Sequence, residues 1–297
     1  MIAGVVAINK PCGYTSSDVV VKCRNAYSKA VGQKVKCGHM GTLDPNASGV
    51  LLVGFGKATK LFDFLLDKTK VYVAEFVFGK QTDTLDECGI VVAESDLPKV
   101  SDVENAIKQN IGQISQVPPN YSAKSINGKR AYDMAREGVE FEIPSKVVNI
   151  ENIELLGTNI TGERCQSINV KITCGSGTYI RSLARDIAAQ SGCVGYMRSL
   201  ERTNCGGFRV ENSVLLDEFV ADPCSKVVSV QTFLSQMFEV IDIENEEKIK
   251  QICNGCAIEC GKKLENSEYI VTIKGKLLGL ANIQNNGQLK VVINLWE

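Results

Sequence analysis

Histidine is almost absent: the 297-residue chain has a single one, His39. A His-rich metal site is thereby excluded, and any Ser-His-Asp triad would depend on that one residue. No Gly-x-Ser-x-Gly elbow surrounds a serine that could use it. Also missing is any apolar run near the ~18 residues of a membrane span. The opening MIAGVVAINKP has neither the basic region nor the cleavage site of a secretory signal. Neither sign of charge dominates. The formal net charge is −1, so the total does not announce a nucleic-acid partner. Internal repeats and flexible Gly/Ser linkers are lacking as well.

The apolar share of 44% and charged share of 23% are those of an ordinary globular protein, with room for one large domain or a large and a small one. Twelve cysteines in a chain of this length, without an export signal, read as buried or free thiols of a reducing cytoplasm. Local charge is more informative than the total. Residues 1–40 carry Lys10, Lys22, Arg24, Lys29, Lys34 and Lys36 against Asp18, and residues 121–136 carry Lys124, Lys129, Arg130 and Arg136 against Asp133. Acids gather in 83–104 and 211–248, which allows a basic face and an acidic back.

Periodicity places the elements. Val5–Ile8 reads as a strand, and Ser16 and Ser17 as caps of a helix with Val19, Val20, Cys23, Ala26, Tyr27 and Ala30 inside. Val50–Gly54 is a core strand, Ala58–Leu66 is helical, and Val71–Gly79 alternates as a strand. Ser101 and Glu104 have capping-box spacing for a helix to about Asn110. Lys129–Glu137 reads as a short basic helix stopped by Gly138, and Ile180–Ala188 as a helix closed by Gly192. Three β runs, Tyr269–Ile273, Leu277–Ile283 and Leu289–Leu295, make a terminal β module, with a boundary expected near 240–248.

Spacing removes common chemistries. A P-loop requires Leu51 to be glycine and Ala58 to be serine or threonine, and Thr59 stands where a dinucleotide loop needs its third glycine. Cys253, Cys256 and Cys260 are the best metal candidates, but they lack a fourth ligand, and chance thiols are the plainer reading. What is left is a carboxylate. Asp44 is held between Gly38, Gly41 and Thr42 on one side and Pro45 on the other, ahead of a core strand. Alone, it reads as a turn residue.

The surrounding constellation changes that reading. Gly38-His39-Met40-Gly41-Thr42-Leu43-Asp44-Pro45-x-Ala47-Ser48-Gly49-Val50-Leu51 resembles the catalytic motif of the TruB family of tRNA pseudouridine synthases. Further blocks match in order: Asn9-Lys10-Pro11-x-Gly13-x-Thr15-Ser16, Lys70-x-Tyr72, Pro118-Pro119-x-Tyr121-Ser122-Ala123-Lys124, Gly175-x-Gly177-Thr178-Tyr179-Ile180-Arg181-Ser182-Leu183 and Met197-Arg198-Ser199-Leu200-x-Arg202-Thr203. The match runs from about residue 4 to 215. A looser one, on Gly261, Gly275, Leu278-Gly279-Leu280-Ala281 and Gly287, is similar to a PUA-type RNA-binding domain.

The resemblance implies an α+β fold: a mixed, mostly antiparallel sheet flanked by helices, in a catalytic domain of residues 1–243, followed by a PUA-like domain of 244–297. Residues 118–145 correspond to an RNA-clasping insertion. It further implies isomerisation of the T-loop uridine of tRNA, position 55, to pseudouridine, without cofactor or metal. Asp44 is then the catalytic carboxylate, acting at the sugar, at the base or otherwise. Tyr72 stacks on the target base, Arg181 pairs with Asp44, and Leu200 closes the pocket. His39 fills the gap left by the flipped nucleotide. Tyr121 and Tyr179 join the substrate-binding set, and Lys10, Lys124, Lys129 and Arg130 face phosphates. A cytoplasmic, stand-alone monomer with tRNA as partner, no membrane and no obligate protein partner is expected. Alternatives are an RNA chaperone with secondary or lost catalysis, a guide-RNA-dependent relative, and a zinc or redox protein built on Cys253–Cys260.

Overall fold

A computed structural model describes residues 3–66, 68–122, 124–126, 128–259 and 268–296. Strand Ser48–Phe55 sets the plan of the molecule. Successive side chains of a strand point to opposite faces. Leu51, Val53 and Phe55 enter one core with Val6, Ile8, Val19, Tyr27 and Phe76. Val50 and Leu52 enter a second with Val5, Leu61 and Phe233. Burial on both faces is why this stretch is apolar without alternation.

Among the described residues this strand belongs to an eleven-stranded sheet. Its main path runs Val214–Leu215, Gly4–Lys10, Ser48–Phe55, Gly195–Cys205, Lys70–Phe78, Arg164–Cys174, Lys146–Thr161 and Gly112–Gln116. Pairing is antiparallel except where Val214–Leu215 lies beside the first strand, and where Glu201 and Arg202 meet Ser48 and Gly49. The sheet is therefore mixed and mostly antiparallel, with helices packed on it, as expected for the α+β class.

Gly49 makes the central crossing possible. Its φ is +101°, and a Cβ there would lie 2.3 Å from the Arg202 carbonyl oxygen. Gly49→Ala should therefore lose about 2–5 kcal/mol of stability, from backbone strain added to overpacking. Denaturant unfolding checks this; a loss under about 1 kcal/mol would mean the strands can part without cost.

Helix Ser16–Ala30 is capped by Thr15, not by Ser16 or Ser17. Thr15 accepts from the Asp18 amide while the Asp18 carboxylate accepts from the Thr15 amide, a reciprocal capping box. Ser16 is thereby released for another use. The expected capping box at Ser101 and Glu104 does not form: that helix is Val100–Gln109, its N-cap is Lys99, and no side chain caps it. The helix expected over Lys129–Glu137 is Ala131–Arg136, because Lys129 and Arg130 pair with Ser125 and Ile126 as a short hairpin.

The terminal β runs form a separate four-stranded sheet in the order Val240–Ile243, Glu268–Ile273, Lys276–Ile283 and Leu289–Asn294. Its first strand precedes the boundary expected at 243 and pairs parallel with the second. One face closes on its own cluster of Ile241, Tyr269, Val271 and Leu289. The other contributes Ile270 and Leu280, joined by Leu295 just past the last strand, to the core holding Val5 and Phe233. Lys57 and Lys60 donate to the Trp296 and Asn294 carbonyls across the same junction. A cut at 243 would sever a β pair and expose this shared core.

Candidate active site

Asp44 sits in the turn between strands Cys37–His39 and Ser48–Phe55, and the turn is held along its length. Ser16 accepts from the Leu43 amide at 2.9 Å and donates to the Leu43 carbonyl at 3.0 Å. Downstream, the Pro45 carbonyl accepts from the Gly13 amide at 2.9 Å and the Lys10 ammonium at 3.1 Å. Upstream, Arg202 donates to the Gly41 carbonyl at 3.1 Å. The carboxylate itself meets Arg181, whose Nε and Nη2 reach Oδ2 and Oδ1 at 2.8 and 3.0 Å, the fork geometry that suits a carboxylate.

Arg181 is buried although it stands in the first turn of helix Ile180–Gln190, a position where the macrodipole disfavours a cation. Its other bonds go to the Thr84 carbonyl at 2.9 Å and the Tyr121 carbonyl at 3.0 Å, and Asp86 Oδ2 lies 3.8 Å away. Arg181 is thus a buried hub joining three segments of the chain. Gln116 fixes the start of its helix, accepting from the Tyr179 amide and donating to the Tyr179 carbonyl.

Asp44, Tyr72, Tyr179, Arg181, Leu200 and Arg202 line one cleft of about 310 Å³. Tyr72 is buried, and burial pushes its phenol up to about 12, while the nearby Arg202 guanidinium pulls the other way. Burial also raises Tyr179. Leu200 is buried at the cleft wall. A carboxylate fixed by a guanidinium, a phenol and an aliphatic wall can bind a flat polar group and offer it one anionic oxygen.

The remaining predicted residues are dispersed. His39, in strand Cys37–His39, is half-buried and does not line the cleft; burial lowers its pKa and Arg202 adds to that. Tyr121 contributes its carbonyl to Arg181 and its hydroxyl to Asp83 at 3.4 Å. Lys124 is half-buried and bonds the Pro144 carbonyl; Lys129 and Arg130 are exposed. Lys10 departs from the expectation: it is fully buried, and its ammonium donates to the Pro11, Tyr14 and Pro45 carbonyls. Burial pulls its ammonium down to about 8. Sequence reasoning missed Thr84, Asp86 and Gln116, and the work of Ser16.

Among the described residues no group of three His, Cys, Asp or Glu side chains could hold a metal ion. Cys253 and Cys256 are exposed free thiols, while Cys260, Gly261 and Ala123 lie outside the described residues. No helix among the described residues is long and apolar enough to cross a membrane.

The fold recurs in solved structures. "Structure of H/ACA RNP bound to a substrate RNA containing 2'-deoxyuridine" superposes with a TM-score of 0.68 at 20% identity, covering 99% of this chain and 85% of that one. "Crystal Structure of a Cbf5-Nop10-Gar1 Complex" gives 0.67 at 23%, covering 99% and 84%. The overall fold is therefore shared with these two structures. Residues 28–180 match the TruB family pseudouridylate synthase (N terminal domain). The tRNA pseudouridine synthase B of Clostridium kluyveri is 36% identical over 296 residues, 97% of this chain and 98% of that protein. That of Mycobacteroides abscessus is 39% identical over 256 residues, 85% and 83%. The chain belongs to the TruB family of pseudouridine synthases.

Proposed function

We propose that this protein isomerises a uridine of tRNA, the T-loop uridine at position 55, to pseudouridine. The bond from uracil N1 to ribose C1′ breaks, the base turns, and C5 bonds C1′; N1 gains a proton and C5 loses one, so the change is an isomerisation. The observation that carries this is the Asp44 carboxylate held by the Arg181 fork at the wall of a cleft shared with Tyr72. Asp44 acts at the sugar–base junction, Tyr72 stacks on the base, and Leu200 covers it. The relatives' name, tRNA pseudouridine synthase B, supports tRNA as substrate. A target inside a folded loop must be unstacked first, and His39 is assigned to the gap it leaves. The enzyme works as a cytoplasmic monomer. The terminal sheet, from Val240 on, adds RNA contacts.

Incubation with an unmodified tRNA transcript, followed by site-resolved pseudouridine mapping, tests this. Conversion at the T-loop uridine is expected; its absence with intact, tRNA-binding protein would sink the assignment.

Exposed cations give the affinity its salt dependence, since each neutralised phosphate releases counterions. Lys129→Ala and Arg130→Ala should each weaken tRNA binding and flatten the slope of log K against log salt by about one. The rate at saturating tRNA should stay within a few-fold of the parent. An unchanged slope in both variants would remove the hairpin from the RNA-facing surface.

A further inference from the structure

Arg202 is among the largest fully buried side chains, 1% exposed, and it lines the cleft. Among the described residues no carboxylate lies within ion-pair distance of it. Its recorded partners are carbonyls: Val50 at 2.7 Å from Nε, Gly41 at 3.1 Å from Nη2 and Thr42 at 3.5 Å from Nη1. In register its Cα faces Tyr72 on one neighbouring strand and Gly49 on the other. Burial raises the Tyr72 phenol, and the Arg202 guanidinium partly offsets that.

A buried cation without a counter-ion is expensive, and an arginine cannot shed its proton to lessen the cost. Tying three carbonyls together does not by itself call for a charge. What the guanidinium offers is a rigid fork reaching the turn that bears Asp44 and the strand that follows it, from a strand position paired with Tyr72. Arg181 secures the carboxylate, Ser16, Gly13 and Lys10 hold the residues on either side of Asp44, and Arg202 grips the backbone two and three residues upstream.

We propose that Arg202 is a positioning residue, fixing the Gly41-Thr42 turn to the strand position that pairs with Tyr72, so that carboxylate and phenol keep one separation across the cleft. This rests on the isomerase reading above. A displacement of about 1 Å at a reacting group can cost on the order of 100-fold in rate. Loss of the fork should therefore appear in turnover before it appears in binding.

The test compares wild type with Arg202→Lys, which keeps the charge and loses the fork, and with Arg202→Met. Each is measured for melting temperature, tRNA affinity, single-turnover rate at saturating tRNA, and amide hydrogen exchange. For Arg202→Lys the expectation is cooperative melting, affinity within a few-fold of wild type, and a rate about 100-fold lower. Amides of residues 40–44 should exchange faster while those of 183–190 do not. A rate within a few-fold of wild type, or a rate lost only in step with affinity and global protection, would overturn the proposal. Wild type inactive on the transcript would instead count against the isomerase reading, and the exchange pattern would still decide whether Arg202 grips the turn.

Discussion

Asp44→Asn should bind tRNA and make no pseudouridine. The substitution keeps the shape of the side chain and replaces one carboxylate oxygen by an NH2 group that cannot accept from Arg181. Rate losses of roughly 10⁴-fold or more accompany removal of a group on which the chemistry depends. Folding should survive. Breaking a fully buried ion pair costs ~3–5 kcal/mol, but the Asp44 side chain is 33% exposed and Asp86 stays 3.8 Å from the same guanidinium. A loss nearer 1–2 kcal/mol is therefore expected. Single-turnover pseudouridine mapping at saturating tRNA checks the first part, and thermal melting the second. A rate at a substantial fraction of wild type would remove Asp44 from the chemistry.

Much of this site was legible because its residues stand in long, ordered blocks. Asp44, Tyr72, Arg181 and Leu200 come from four separate blocks and meet in one cleft. The errors share a physical origin: a side chain's type was legible and its direction was not. Lys10 was grouped with phosphate-facing cations, yet strand Gly4–Lys10 ends under the Asp44 turn and its ammonium is drawn onto backbone carbonyls. Ser16 looked like a cap because it opens a helix. Thr15 takes that part, which leaves the Ser16 hydroxyl for Leu43.

Thr84 could not have been found from side-chain chemistry at all, since its contribution to Arg181 is a carbonyl. That carbonyl is presented by a turn in which Leu85 takes φ +60°, a conformation sequence does not advertise for leucine. Strand Gly195–Cys205 is hidden in the sequence for a similar reason. It is bulged between Met197 and Ser199 and again between Arg202 and Asn204, which breaks the alternation that marks a strand. The second bulge lies beside Arg202, where three strands meet at the floor of the cleft.

Arg181→Met should leave a folded protein that binds tRNA and turns over slowly. Its guanidinium makes four hydrogen bonds, two to Asp44 and one each to the Thr84 and Tyr121 carbonyls, from a side chain 7% exposed. A thioether replaces none of them. The carboxylate then swings toward solvent, and the segments carrying Thr84 and Tyr121 lose the hub that gathers them. On the scale of a misplaced reacting group the rate at saturating tRNA should fall about 100-fold or more. Arg181→Lys should recover only part of this, since a point charge cannot span both carboxylate oxygens and both carbonyls. Were Arg181 a phosphate contact, the two variants would bind tRNA less tightly, lysine would rescue well, and saturating tRNA would restore the rate. The measurement is single-turnover rate against tRNA concentration for both variants. A plateau for Arg181→Met within a few-fold of wild type would leave the Asp44 carboxylate without need of its cation.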